Sequence, residues 1–285
     1  MKKLVVVIIS AILLCVTPQS YAVNSVIRIT GPIHQTFTGE FRNDGLAQSL
    51  TPSGELGLKV FQPIAKNRIW VIDAALVDEV IVMSNDYTLA SETEPTGKEI
   101  AAAWLTQLKR VTFGNEVIAL AYGNPDVALA KRLAPSELRS YFSYGQERLQ
   151  LALGRIVRSE PATKWSVGKS GLSNPLRKSY SDNRKALTRL SRVVDTPELT
   201  QLRARLAQLL SPSLDKDSRE YFSYSATAAV DDMVHKLRIN SGKYQITTSS
   251  VKLPVTVINE FNVKIASGTI SAFSSESFMI TETVV

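Results

Sequence analysis

The sequence predicts an α/β fold, a partial or short barrel-like region with extra helices, followed by a small all-β sandwich-like module. Three observations carry that reading. Ile69-Trp70-Val71-Ile72-Asp73 and Val117-Ile118-Ala119-Leu120-Ala121-Tyr122 are short apolar runs rich in β-branched residues, each with a carboxylate at or just past its end. Between them Ile100, Trp104, Leu108 and Val111 recur at helical spacing, so a strand, a crossover helix and a second strand follow in order. Such a unit gives a parallel pair whose strands end on the same edge of the sheet. From residue 236 onward the composition shifts to β-branched residues with Ser, Gly and Asn at the breaks.

The first residues point to export. Lys2 and Lys3 precede an apolar run of 13 residues, Leu4 to Val16, and Ser20-Tyr21-Ala22 is a small-residue cleavage site. A signal peptide over residues 1–22 is expected, with the mature chain starting at Val23 and residing extracellularly or on the outer face of the cytoplasmic membrane. As a helix the run rises only about 20 Å, short of a hydrocarbon core of about 30 Å. Cys15 is the sole cysteine and follows Leu14, where lipoprotein processing needs a small side chain. Its loss with the leader would leave no disulfide, thiolate zinc site or cysteine nucleophile.

In the mature chain, residues 23–158 read as the α/β domain. Val26-Ile27-Arg28-Ile29 is a short strand, Thr38 to Gly45 a turn, and Leu46 to Leu50 a short helix. Helix is expected over Ala74 to Met83. A polar loop, Ser84 to Gly97, is long enough to overhang the strand ends, and Thr96 with Glu99 forms a capping box for the next helix. After the second strand come a helix over Val127 to Leu133 and a longer one from Pro135 to about Val157.

Residues 159–182 hold Pro161, Gly168, Gly171 and Pro175 with little periodicity and read as a loop or linker. A helical segment spans 183–237, with Thr196 as N-cap and Pro197 at the first helical position. Strands are expected at Lys243 to Thr248, Val251 to Ile258, Phe261 to Ile270 and Ser277 to Thr283, so residues 238–285 form the sandwich-like module, itself incomplete if a second sheet is missing. Leu133-Ala134-Pro135-Ser136 with Tyr141-Phe142-Ser143-Tyr144 is echoed by Leu210-Ser211-Pro212-Ser213 with Tyr221-Phe222-Ser223-Tyr224. Two copies do not make a repeat array.

The formal net charge is +7, and residues 155 to 205 carry twelve Lys or Arg against four acids. For an exported protein the polyanions within reach are anionic lipid headgroups and wall polymers rather than nucleic acid. Arg184, Lys185, Arg189 and Arg192 are the candidate contacts, set against the plain alternative of a solvated helix face.

Candidate chemistry is narrow. His34 and His235 are the only histidines and lie far apart in the chain, so no metal-ligand spacing exists, no cofactor is indicated, and both read as surface residues. Neither a Gly-x-Ser-x-Gly elbow nor a phosphate-binding glycine loop is present. Carboxylates remain: Asp73 and Asp126 fall on one sheet edge, where a glycosidase-like pair would stand, with Tyr122 and Asn124 placed to contact a sugar. Both acids also sit where helices begin. In Asn124-Pro125-Asp126 the order fits an N-cap, a first helical proline and a dipole-facing acid, and Asp73 before Ala74-Ala75 reads as an N-cap.

Trp70 to Asp78, Ala101-Ala102-Ala103-Trp104-Leu105, Leu120 to Val127, Leu206 to Leu214 and Val251 to Asn259 together resemble a family of uncharacterised secreted or membrane-anchored actinobacterial cell-envelope proteins. The resemblance covers patches of residues 38 to 262. It implies a barrel-like α/β region, a β-sandwich and usually a C-terminal membrane helix. Genes of that family commonly accompany the lipid-linked peptidoglycan precursor flippase, which implies a link to envelope biogenesis. This chain departs by Ala74 and Ala121 where the family tends to have proline, by a short central region, and by stopping without the membrane helix.

The expectation is therefore an exported envelope protein that binds or scaffolds an envelope protein or an anionic wall or lipid component, with peripheral membrane contact open. The alternative is a barrel-type carbohydrate-active enzyme using Asp73 and Asp126.

Overall fold

The computed structural model describes residues 25–62, 68–91, 93–159, 165–240, 256–263, 268–273 and 279–284. The expected leader over 1–22 and the strand expected at 243–248 lie outside them. Four parallel strands, β1 (Ser25–Ile29), β2 (Arg68–Ile72), β3 (Glu116–Ala119) and β4 (Arg158–Ser159), stand side by side in chain order. Each crossover places the next strand beside the last, so all C-terminal ends share one edge. The register aligns Ile27 with Trp70 and Val117, and Ile29 with Ile72 and Ala119.

Side chains alternate across the sheet. Trp70, Ile72, Val117 and Ala119 enter the main core, where they meet Leu46 and Leu50 of α1 (Gly45–Leu50), Leu56 and Val60 of α2 (Glu55–Phe61), and Trp104 and Leu108 of α4 (Lys98–Thr112). Val71, Ile118 and Leu120 face the other way, toward Trp165. Helix α2 was absent from the sequence reading because it spans only two turns, with Gly57 between its two buried anchors.

Helix α3 (Ala74–Met83) is buried along eight of its ten residues. The chain after Met83 joins the segment beyond β1, where Phe41 bridges Leu89. The expected capping box is not formed. Thr96 donates from its amide (3.0 Å) and hydroxyl (2.8 Å) to Asp44, and Gly97 occupies the cap of α4 without a side-chain bond. The helix starts one residue later than expected, and with the Thr96 amide and hydroxyl both bound to Asp44 the threonine sits outside the cap position.

A second layer of helices covers the C-terminal edge. Helices α5 (Val127–Leu133) and α6 (Pro135–Leu153) follow β3; α7 (Asn174–Leu190), α8 (Pro197–Arg205), a 3-10 turn (Leu206–Leu210) and α9 (Lys216–His235) follow β4. Their shared core gathers Leu129, Ala130, Tyr180, Leu187, Leu199, Leu206, Leu210 and Phe222. Helix α7 starts at Asn174, inside the stretch expected to be linker. Pro175 sits in its first turn, where a fixed φ and missing N–H cost nothing, and Tyr180, Asn183, Leu187 and Leu190 form its buried face.

The two aromatic echoes differ. Tyr141 and Phe142 both point inward, whereas in the second copy only Phe222 is buried and Tyr224 is exposed.

Beyond α9 the described residues hold two antiparallel pairs, β5 (Leu237–Asn240) with β6 (Thr256–Asn259) and β7 (Gly268–Phe273) with β8 (Met279–Val284), in separate sheets. A sandwich is not seen among them. Phe261, expected to open a strand, lies in a bend instead: the Asn259 side chain accepts from Phe261 N (3.0 Å) and donates to Val263 O (2.9 Å), closing a local Asn-centred turn.

Candidate functional site

The edge where β1, β2 and β3 end carries three buried acids from one short stretch, Asp73, Asp78 and Glu79. Asp73 caps α3: its Oδ1 accepts from Ala75 N (3.0 Å) and from Gly123 N (2.9 Å) just beyond β3. Burial pushes its carboxyl up to about 7 against those two amide bonds. Asp126, rather than Asn124, caps α5, which starts at Val127 and not at Pro125; its Oδ1 accepts from Leu129 N (3.1 Å) and its Oδ2 from Ser170 N (2.8 Å). Each of these two strand-end acids is thus turned into backbone N–H groups from two different segments.

The same edge positions Tyr122 and Asn124, and both are buried. The Tyr122 hydroxyl donates to Asp78 Oδ2 (2.9 Å), while its ring packs edge-on against Tyr144. Asn124 takes a left-handed φ of 43° to close the turn before Pro125. Neither presents its side chain to an open surface. Gly123, with φ 78°, is held tight: a Cβ there would fall 2.6 Å from Gln208 Cγ. Only glycine lets the 3-10 turn press this close while the amide reaches Asp73.

The sequence reading missed the deeper part of the network. Arg148 of α6 forks onto Asp78 through Nε (3.0 Å to Oδ2) and Nη2 (2.9 Å to Oδ1). Glu79 accepts from His34 N (2.9 Å) and Gln208 Nε2 (3.0 Å), and burial pushes its carboxyl up to about 8 against the Arg205 charge and these bonds. His34, expected on the surface, is half-buried here, and burial drives its ring down to about 4. His235 is exposed as read. A signal was present: adjacent acids, Asp78-Glu79, interrupt an otherwise apolar helix, and an acid there is stable only with a partner elsewhere.

Asp73 and Glu79 line a recess with Gly31, Ile33, Leu76, Gly123, Gln208 and Ser211 that measures about 10 Å³, the room of about one water. Asp126 does not line it. The Leu206–Leu210 turn fills the mouth that strand ends of this type leave open for a ligand.

A groove and a charged helix face are open to solvent on this side of the molecule. A groove of about 380 Å³ runs between Phe37, Leu202 and Met233, rimmed by Glu198, Asp232 and Lys236, with Arg205 at its base. Helix α7 turns a cationic face outward. Arg177, Lys178, Lys185, Arg189 and Arg192 are exposed and Arg184 is half-buried. Lys178 pairs with Asp182 (2.6 Å), whereas Arg177, Arg189 and Arg192 make no ion pair among the described residues. Their spacing brings Arg177, Lys178, Lys185 and Arg189 onto one side of the helix, opposite Tyr180, Asn183 and Leu187, and Arg192 follows in the turn just past its end.

Among the described residues no group of three or more His, Cys, Asp or Glu could hold a metal ion, and no helix is long and apolar enough to cross a membrane. No family model matches the chain, and neither a curated protein nor a solved structure does.

Proposed function

We propose that this chain is an exported cell-envelope protein that binds or scaffolds an anionic wall component, without transforming it, in support of envelope biogenesis. One observation carries the reading: the exposed cationic face of α7 and the turn that follows it, where Arg177, Arg189 and Arg192 have no carboxylate partner among the described residues. Cations left unpaired on one face concentrate a polyanion through summed potential rather than through a shaped pocket. The strand-end acids favour binding over catalysis. Asp73 and Asp126 each satisfy two backbone amides, and the recess beside Asp73 is too small for a sugar ring. On this reading the C-terminal strand pairs belong to a sandwich-like module behind the helical layer.

The test is retention and integrity together. The protein is expected to be retained on an immobilised phosphodiester wall polymer and to pass through a neutral glucan column. The polymer should be recovered at its original length. Cleavage of the polymer, abolished by Asp73→Asn or Asp126→Asn in a folded protein, would instead establish the carbohydrate-active alternative.

A further inference from the structure

The edge opposite the strand-end site has its own character. All four strands are parallel, so their N-terminal ends, and the turns that lead into them, share one edge. Hydrogen bonds run along it: Arg68 Nη1 donates to Ser25 Oγ (2.8 Å), Arg68 N to Asn115 Oδ1 (3.3 Å), and Arg155 Nη2 to Asn115 O (2.9 Å). These bonds hold together the turns that carry Phe113 and Ile156. Phe113 is 82 % exposed, Ile156 88 % and Leu151, in the last turn of α6, 66 %. A single exposed apolar side chain is ordinary, but Phe113 and Ile156 this open on turns joined by Arg155 and Asn115, with Leu151 five residues before Ile156, leave apolar surface along this edge that water disfavours. Lys109 and Arg110, exposed in the last turn of α4, stand beside Phe113.

We propose that this N-terminal edge of the sheet seats on a lipid bilayer bearing anionic headgroups, with Phe113, Ile156 and Leu151 entering the headgroup–acyl boundary and Lys109 and Arg110 meeting phosphates. Two facts select a bilayer over other occupants. Apolar side chains flanked by cations match an interfacial membrane surface. In addition, β1 begins at this edge, at Ser25, and only eight residues separate it from the end of the apolar run Leu4 to Val16. Even fully extended, such a stretch spans no more than about 30 Å, so until the expected leader is cleaved it holds this edge close to the membrane that the leader addresses.

The test is depth-dependent quenching in the full chain. Phe113→Trp places a reporter at an exposed site where the substitution carries little folding risk. Tyr224→Trp is the control, since α9 flanks the opposite edge, with Arg42 lying 4.8 Å over the ring of Tyr221. In vesicles of phosphatidylcholine with phosphatidylglycerol, lipids brominated near the headgroup should remove about half of the emission that Phe113→Trp adds, as burial of roughly 5–10 Å predicts, and leave the emission added by Tyr224→Trp unchanged. Phe113→Asp with Ile156→Asp, folded by circular dichroism, should weaken vesicle binding of the leader-processed chain at least about tenfold. An unquenched Phe113→Trp reporter, whether the chain is free, self-associated through this edge or bound through the face that carries Tyr224, overturns the proposal. Charge reversal at Arg189 and Arg192 should leave quenching of the Phe113→Trp reporter intact, so loss of wall-polymer binding and loss of membrane seating are read separately.

Discussion

Asp73 Oδ1 and the amide of Gly123 meet at 2.9 Å, across fifty residues of sequence, and this bond ties the start of α3 to the turn after β3. It explains the acid without chemistry at a substrate. Near pH 4, where the folded carboxyl still holds its proton, Asp73→Asn keeps an acceptor oxygen in place and should change stability by less than about 1 kcal/mol. Asp73→Ala leaves two amides unsatisfied and should cost about 2–4 kcal/mol. Urea denaturation of the two variants distinguishes them, and equal losses would contradict a capping role.

Two raised carboxyls set a pH dependence with a definite sign. Asp73 titrates at about 7 and Glu79 at about 8 when folded, against about 4 for each in the unfolded chain. Between those values the unfolded state has already released protons that the folded state still holds, so these two groups make stability fall as pH rises from about 4 to 8, then level off. Chemical denaturation across that range should show a shallower fall for Asp73→Asn and for Glu79→Gln than for the wild type. A wild-type slope unchanged by either substitution would mean that neither acid holds a proton in the fold.

Arg148 and Asp78 form the buried ion pair of this network, with the carboxylate almost wholly enclosed and the guanidinium partly open. Arg148→Met removes one partner and leaves a charge facing only the Tyr122 hydroxyl, so about 3–5 kcal/mol should be lost. Tyr122→Phe removes one of three donors and should cost about 1–2 kcal/mol. Thermal melts that rank the two variants the other way would place the main support of Asp78 elsewhere.

Close approach makes two glycines irreplaceable for different reasons. Gly123→Ala combines a φ of 78° with a Cβ pressed against Gln208, and should cost at least about 2 kcal/mol. Gly145 lies within α6, where alanine ordinarily helps, yet its Cβ would sit 2.5 Å from Leu120 O. Gly145→Ala should therefore destabilise, by about 1–3 kcal/mol, despite the gain in helix propensity. Stabilisation by Gly145→Ala in a denaturation series would show that α6 can shift off the strand end.

Much of the α/β framework was legible because its signals are local. Strand runs at 69–73 and 117–122, the caps at Asp73 and Thr196, and the apolar stripe of Trp104 and Leu108 all follow from neighbouring residues. Features set by distant partners were not. Thr96 left its capping box for Asp44, fifty-two residues away. Glu79, Arg148 and Gln208 joined Asp73 only through tertiary folding, and the start of α7 was hidden by prolines that read as breakers although Pro175 opens a helix. Burial of Tyr122 and Asn124 was likewise invisible, because the 3-10 turn that covers Gly123 comes from more than eighty residues further on.

The central claim, that the α7 face binds an anionic wall polymer without cleaving it, is tested most directly by a titration of the full chain with a phosphodiester wall polymer. Binding should be saturable, weaken as salt is raised, and fall at least about tenfold in Arg189→Glu with Arg192→Glu, since each cation near a polyanion contributes about 1 kcal/mol. Affinity unchanged by that double reversal in a folded protein, or no binding at low salt, would contradict the claim.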